Sequence, residues 1–314
     1  MEIKKRVLVT GGAGFIGSNL VKGLVEKDHD VTVIDNLSTG REEKLSDVKD
    51  SIKFHKLDIT DDILDRIGNI SFDCIFHMAA NPSVEFSVRR PLEVDMVNSH
   101  GTLNMLEYAR KSGSKKFVYS ASSAAYGETD CSNNTEDMLP LPLSPYGVSK
   151  LCGEYYVRCY DSLFDISTIC LRYFNVFGEF QDPDSQYAAV IPKFITSALK
   201  GEKLTVFGDG KQTRDFTYVK DIVRANLLAM ETDINGQSVN VATGGSISLN
   251  QLIDAIKKGL NRPLNVVYED VRDGDIKHSC SDISKALEVL GYRPEFDFEQ
   301  AIKKTMDWYE EKIL

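Results

Sequence analysis

Through the first 175 residues, apolar positions cluster in short, nearly unbroken runs separated by stretches with helical spacing. Arg6-Val7-Leu8-Val9-Thr10, Val31-Thr32-Val33-Ile34, the run from Ser51 to Leu57, Cys74-Ile75-Phe76-His77, Lys116-Phe117-Val118-Tyr119-Ser120 and Ile166-Ser167-Thr168-Ile169-Cys170-Leu171 predict successive strands. Between them, Ser18 to Val25, a long stretch from about Leu92 to Lys111 and the residues after Pro145 read as helices. In the long stretch, Val94, Val97, Met105, Leu106 and Ala109 share one side. Such alternation predicts an α/β fold, a doubly wound parallel Rossmann-type sheet with right-handed crossovers.

After Arg172-Tyr173-Phe174-Asn175 the rhythm breaks. Helices near Val190 to Lys200 and Asn250 to Lys258, short strands at Leu204 to Phe207 and Asn265 to Tyr268, and a final helix from Phe298 to Ile313 predict a smaller C-terminal α/β substrate-binding domain. Residues from about 215 to 243 are expected to return to the main sheet. The expected division is therefore 1–176 with about 215–243, against about 177–214 with 244–314.

With 314 residues, 42% of them apolar, the chain can bury a sizeable core, and no apolar run approaches a membrane span. The first residues lack the charged, apolar and cleavage regions of a signal peptide, so a cytoplasmic location is expected. Six scattered cysteines are expected to be reduced and mostly buried. A net charge of -10 without a basic run argues against nucleic acid or an anionic membrane as partner. An anionic ligand would need local arginines.

Tyr146 and Lys150, four residues apart, emerge from one face of a helix, where a cation favours the phenolate and makes the pair an acid/base candidate. Gly11, Gly14 and Gly17 stand between the first strand and the first helix, the arrangement that lets a backbone approach a pyrophosphate at a helix N-terminus. Asp35 ends the second strand, about twenty residues on, where a carboxylate meets an adenosine ribose. It would repel a 2'-phosphate, and Asn36-Leu37-Ser38 supplies no cation, so NAD is expected over NADP. Asp58 and Ile59 are placed beside the adenine, although Asp58 can also cap the following helix. Met78-Ala79-Ala80 lets backbone lie close to a cofactor, and the lone His77 before it is read as structural. Ser122 belongs to a hydroxyl cluster at the carboxyl end of a parallel strand, where such sheets bind ligands.

These stretches, with Ser122-Ser123-Ala124-Ala125-Tyr126-Gly127, Arg172-Tyr173-Phe174-Asn175-Val176-Phe177-Gly178, Val206-Phe207-Gly208-Asp209-Gly210, Arg214-Asp215-Phe216 and Arg272-Asp273-Gly274-Asp275, resemble the extended short-chain dehydrogenase/reductases across nearly the whole chain. More narrowly, the chain is similar to the UDP-galactose (UDP-glucose) 4-epimerase family. The resemblance implies tightly held NAD that oxidises a sugar at carbon 4 and returns hydride to the other face. It implies Tyr146 as proton acceptor and donor, Lys150 on the nicotinamide ribose and Ser122 on the reacting oxygen. NAD would also meet Phe15, Ile16, Asn36, Ser38, Thr39, Gly40, Asn98 and Phe174. The sugar nucleotide would meet Asn175, Val190, Thr205, Val206, Phe207, Arg214, Arg272, Asp275 and Ser279.

Dehydratases and decarboxylases of this scaffold typically carry an acid where this chain has Ala124, which favours simple 4-epimerisation. Small Ser279, where the family can place tyrosine, implies room for an N-acetyl group. His100 departs from the asparagine common near the cofactor. A homodimer through the helices around 92–111 and 145–163 is implied, with Leu151, Tyr155 and Cys159 as candidate contacts. Rival readings are a UDP-glucuronate or UDP-pentose epimerase or a decarboxylase, a non-catalytic NAD sensor, and an NADP-dependent reductase.

Overall fold

The computed structural model describes residues 3–128, 133–183, 189–271 and 280–313. Arg272, Asp275 and Ser279, expected at the sugar nucleotide, and Cys131 lie outside these residues.

In chain order the first half contains β1 (Arg6–Thr10), α1 (Phe15–Glu26), β2 (Asp30–Asp35), β3 (Ile52–Lys56), α2 (Ile63–Ile67), β4 (Cys74–His77), α3 (Val84–Arg89), α4 (Pro91–Asp95), a π turn (Met96–His100), α5 (Gly101–Ser112), β5 (Lys116–Ser122) and α6 (Pro145–Leu163). β6 (Ser167–Tyr173), β7 (Val176–Phe177), α7 (Val190–Lys200), β8 (Leu204–Phe207), β9 (Thr213–Arg214), β10 (Thr217–Tyr218), α8 (Val219–Glu231) and β11 (Gln237–Val241) follow. The chain ends with β12 (Ile247–Ser248), α9 (Leu249–Leu260), β13 (Val266–Glu269), α10 (Ser284–Leu290) and α11 (Phe298–Ile313).

The main sheet has seven strands in the order β11-β6-β5-β4-β1-β2-β3, all parallel. Helices cover both faces, so interior strands are apolar on both sides: Val7, Leu8 and Val9 are all fully buried. The order reverses between β1 and β4, which opens a crevice beyond their carboxyl ends. That crevice receives the glycine turn after β1 and Met78-Ala79-Ala80 after β4. β11 joins the far edge by pairing Gln237–Val241 with Ile169–Tyr173.

A second apolar core gathers Ile191, Ile195, Val206, Leu252, Ile256 and Met306 from α7, β8, α9 and α11. Its strands pair only in twos, β8 with β13, β9 with β12 and β7 with β10. Ala286, Leu290 and Tyr292, around α10, pack into the core of the main sheet.

Three local features differ from the sequence expectation. The helix expected over 92–111 is interrupted by the π turn, which inserts a residue into its ladder. α2 is capped by Asp62, whose side chain accepts from Asp65 N, and not by Asp58. β5 runs two residues further than expected, so Ser122 ends a strand.

Candidate active site

α6 begins at a sequence suited to starting a helix. Ser144 accepts a hydrogen bond from Gly147 N at 3.1 Å, and Pro145 occupies the first turn, where its missing N–H costs nothing. Gly147 then lets the helix approach the end of β5: a Cβ there would lie 2.7 Å from Ala124 O. This approach sets Tyr146 beside Ser122, whose Oγ accepts from Ala124 N at 3.2 Å. From the other side, Tyr146 N donates to Ser87 Oγ of α3 at 3.1 Å.

One turn on, Lys150 is only 3% exposed. Its ammonium lies 4.5 Å from the centre of the Tyr119 ring. Burial lowers its pKa to about 7, partly opposed by Cys170 and Glu154. Burial also pushes the Tyr146 phenol up, with the nearby Ser122 hydroxyl pulling the other way. The protein alone therefore holds Tyr146 protonated at neutral pH, and a further positive charge is needed to make it a base.

Beneath the pair lies a buried ion pair. Arg172 on β6 donates to both oxygens of Glu154, at 3.0 and 2.6 Å, and Ser238 donates to the same carboxylate at 2.6 Å. The guanidinium sits 4.7 Å from the Tyr126 ring centre, which joins the loop after Ser122 to α6, β6 and β11.

The cofactor cradle is built from backbone. Gly11 has φ +68°, and a Cβ there would lie 2.7 Å from Ala79 Cα; a Cβ on Gly17 would lie 2.1 Å from Gly11 O. α1 starts at Phe15 without a side-chain cap, which leaves the N–H groups of its first turn for an anion. Asp35 accepts from Ala13 N at 2.9 Å and Leu37 N at 2.8 Å, and Gly40 packs against its carboxylate. Asn36 donates to Asp58 at 2.6 Å and accepts from Ser38 N. Burial raises the Asp58 pKa, but hydrogen bonds from Thr60 and Asn36 outweigh it and hold the carboxyl below its usual range. An uncapped helix start, a glycine floor and a carboxylate at the ribose position together fit a dinucleotide without a 2'-phosphate.

Other expected cofactor residues divide. Met78, Ala79 and Ala80 are half-buried at the crevice. Ile59 is 4% exposed and faces Gly101, and Phe174 is fully buried against Tyr126. Asn98, on the π turn, is buried, whereas His100 on the same turn is exposed. His77 is buried between two threonine hydroxyls, with its pKa lowered to about 3 by burial and Lys150.

The expected sugar-nucleotide residues lie at the edge of the second core. Along β8 the side chains alternate, so Val206 points into the core while Thr205 and Phe207 are half-buried on the other face. Phe207 and Tyr268, Glu269 and Asp270 line an open cavity of about 610 Å³. Arg214 is half-buried on β9, and its guanidinium donates to Thr213 O at 2.9 Å. Asn175 is exposed, and Val190 opens α7.

Sequence reasoning left Asp215 without a role. It is fully buried and accepts from Thr243 N, Thr243 Oγ1, Gly244 N and Ser281 Oγ, which ties the Arg214 strand to residues 243–244 and to Ser281. Its position in an otherwise solvent-compatible Thr-Arg-Asp-Phe stretch carried no signal of burial.

A tyrosine, a lysine and a serine stand together beside a crevice that fits a dinucleotide, the arrangement expected of a short-chain dehydrogenase/reductase. The comparisons narrow this class. The model of the NAD dependent epimerase/dehydratase family matches residues 7–242. A putative UDP-glucose 4-epimerase of Methanocaldococcus jannaschii is 41% identical over 96% of this chain and 97% of its own length. Among solved structures, a UDP-N-acetylglucosamine 4-epimerase from Methanobrevibacter ruminantium in complex with UDP-N-acetylmuramic acid is 41% identical, with a TM-score of 0.94 over 99% of each chain. A Thermotoga maritima UDP-glucose 4-epimerase with UDP-glucose is 38% identical, with a TM-score of 0.93 over 98% of this chain and 100% of that one. At 34% and 32% identity the relatives include a UDP-N-acetyl-alpha-D-glucosaminuronate decarboxylase of Bacillus cytotoxicus and a UDP-glucuronate 4-epimerase of Thermodesulfobacterium geofontis. The chain belongs to the NAD dependent epimerase/dehydratase family, its cofactor is NAD, and its structural neighbours are UDP-sugar epimerases.

Proposed function

We propose that this protein is a UDP-hexose 4-epimerase that interconverts UDP-glucose and UDP-galactose and also UDP-N-acetylglucosamine and UDP-N-acetylgalactosamine. The observation that carries the reading is Tyr146 set beside Ser122, one turn from buried Lys150, with Ala124 in place of an acid. NAD, when bound, would supply the hydride acceptor and donor for carbon 4 and the positive charge of its oxidised ring.

Tyr146 takes the 4-hydroxyl proton and later gives it back, and Ser122 holds the reacting oxygen. Lys150 would hold the nicotinamide ribose, and its charge, with that of the oxidised cofactor, would offset the burial that keeps Tyr146 protonated. With no carboxylate at Ala124, no second proton shuttle is placed for elimination at a neighbouring carbon. Residues 1–176 with about 215–243 serve the cofactor. The remainder serves the sugar nucleotide: Arg214 and Arg272 on the diphosphate, Thr205, Val206 and Phe207 at the uracil, Asp275 at the ribose, and Asn175 and Val190 near the sugar. Small Ser279 leaves room for an N-acetyl group, a reading favoured by the 41% identical N-acetylglucosamine epimerase.

Val88, Leu92 and Met96, on α3, α4 and the π turn, are exposed, as are Val148 and Tyr155 on α6, which packs against α3 and α4. This supports a homodimer through these helices, which sedimentation of the pure protein would check.

The test of function is incubation without added cofactor with UDP-glucose, and separately with UDP-N-acetylglucosamine, resolving epimers by NMR. Both pairs should equilibrate, and Tyr146→Phe should abolish turnover while keeping NAD. Failure with either substrate removes that half of the proposal, and an active Tyr146→Phe removes the assigned base.

A further inference from the structure

Thr10, His77, Asn98, Thr102 and Ser149 are each no more than 1% exposed; only Asn98 was expected beside NAD, and none takes part in the proton transfer above. Their hydrogen bonds run in one direction. Thr102 Oγ1 donates to Asn98 O at 2.6 Å, so its single hydrogen is spent and it faces His77 Nε2, at 3.0 Å, only as an acceptor. His77 therefore carries its proton on Nε2. Nδ1 accepts from Thr10 Oγ1 at 2.8 Å, and Thr10 in turn accepts from Ala79 N at 3.2 Å.

The chain continues past the π turn. The Asn98 amide donates to Asn81 O at 3.1 Å and Ser149 Oγ at 3.0 Å and accepts from Asn81 N at 2.7 Å; Ser149 donates to Tyr146 O at 2.8 Å. Both amide hydrogens of Asn98 are thus used inside the protein. A parallel branch crosses the His77 ring, which stacks on Tyr119 at 5.9 Å; the Tyr119 hydroxyl donates to Lys150 O at 3.2 Å. A Cβ on Gly153 would lie 2.3 Å from that hydroxyl, so α6 is held close against Tyr119.

We infer that His77, fixed in one tautomer between Thr10 and Thr102, is a positioning residue that, through Asn98 and Ser149, sets Tyr146 and Lys150 against the cofactor-side segment 78–81. This rests on the roles proposed above for Tyr146, Lys150 and NAD. A unit with two ends, one on the cofactor backbone and one on the catalytic helix, controls the distance between hydride acceptor and base. Misplacement there of about 1 Å costs on the order of 10²-fold in rate. The imidazole stays neutral because protonation at Nδ1 would oppose the Thr10 donor and add charge near Lys150.

The test uses the NAD-loaded protein and whichever of UDP-glucose and UDP-N-acetylglucosamine it epimerises. His77→Phe keeps the ring against Tyr119 but removes both hydrogen bonds, and should lower kcat about 10²-fold with KM within about twofold and NAD retained. His77→Gln restores a donor at the Nε2 position and should recover at least about tenfold. Thr102→Val should match His77→Phe, and the double variant should lose no more than either alone, because all three break one chain. Unchanged kcat in folded His77→Phe, no recovery with Gln, or additive losses would overturn the inference. So would a crystal structure of the His77→Phe holoenzyme with the Asn98 to Ser149 bond and Tyr146 unmoved, a result independent of substrate. Tyr146→Phe assayed alongside separates the premise: if it remains active, the assigned base is wrong whatever His77 does.

Discussion

Around the main sheet, the polar groups nearest the site are buried and already paired: Asp35 with two backbone N–H groups, Lys150 over Tyr119, Glu154 with Arg172 and Ser238. Around β8 and β9, by contrast, Thr205, Phe207 and Arg214 are half-buried on two-stranded ladders, and Asn175 is exposed. The first region is assembled before any ligand arrives, so substitutions there should damage folding, NAD binding or rate. The second presents groups to solvent, so its substitutions should act mainly on sugar-nucleotide affinity.

The sharpest way to break this contrast is at the glycine floor. Gly17→Ala sets a Cβ 2.1 Å from the backbone oxygen of Gly11 and 2.9 Å from Gly12 Cα, and should cost about 4 kcal/mol or more or abolish NAD retention. Cofactor content after purification and the denaturation midpoint read the outcome; normal values for both would show that the cradle is pliable. Next, Glu154→Ala leaves Arg172, 3% exposed, as an uncompensated charge, and should destabilise by about 3–5 kcal/mol in chemical denaturation. A loss below 1 kcal/mol would mean water reaches the guanidinium.

In the other region, Arg214→Ala should leave stability and NAD content near wild type while raising KM roughly 10- to 100-fold, the effect of losing charge-assisted hydrogen bonds worth about 1.5–3 kcal/mol. A fall in kcat at constant KM would erase the distinction between the halves. A further test concerns pH. Because burial lowers the Lys150 pKa to about 7, the unfolded chain binds more protons than the NAD-free folded protein from there up to the ordinary lysine range near ~10.4. Stability from this group therefore rises with pH across that window and is lowest below it. Lys150→Met should raise the Tm of NAD-free protein at pH 6 and have a progressively smaller effect toward pH 10. A pH-independent difference would place the ammonium in contact with water.

The contrast also explains what could be read without coordinates. β1, β2, β4, α7 and the final helix Phe298–Ile313 follow from local apolar spacing, and the glycine turn, Asp35 and the Tyr146 to Lys150 interval lie within single elements or their joints. Those signals are short-range, so one chain suffices to see them, and they were enough for the sheet type and the cofactor. The strand pairs β7 with β10 and β9 with β12 are two residues long and carry no period of their own; only packing decides them. The same holds for the inward turn of Val206 and the burial of Asp215, which depend on what lies across from them.

At the site itself, sequence determined which side chains are available: a phenol and an amine one helical turn apart, a serine at a strand end, and no acid at Ala124. Tertiary structure decided that they meet, because Gly147 permits α6 to touch the loop after Ser122. It also decided that His77 faces two threonines from β1 and α5, and that the π turn aims Asn98 at Ser149. These contacts join residues 25 to 67 positions apart, and a hydrogen bond between such partners exists only after the sheet and its helices have packed.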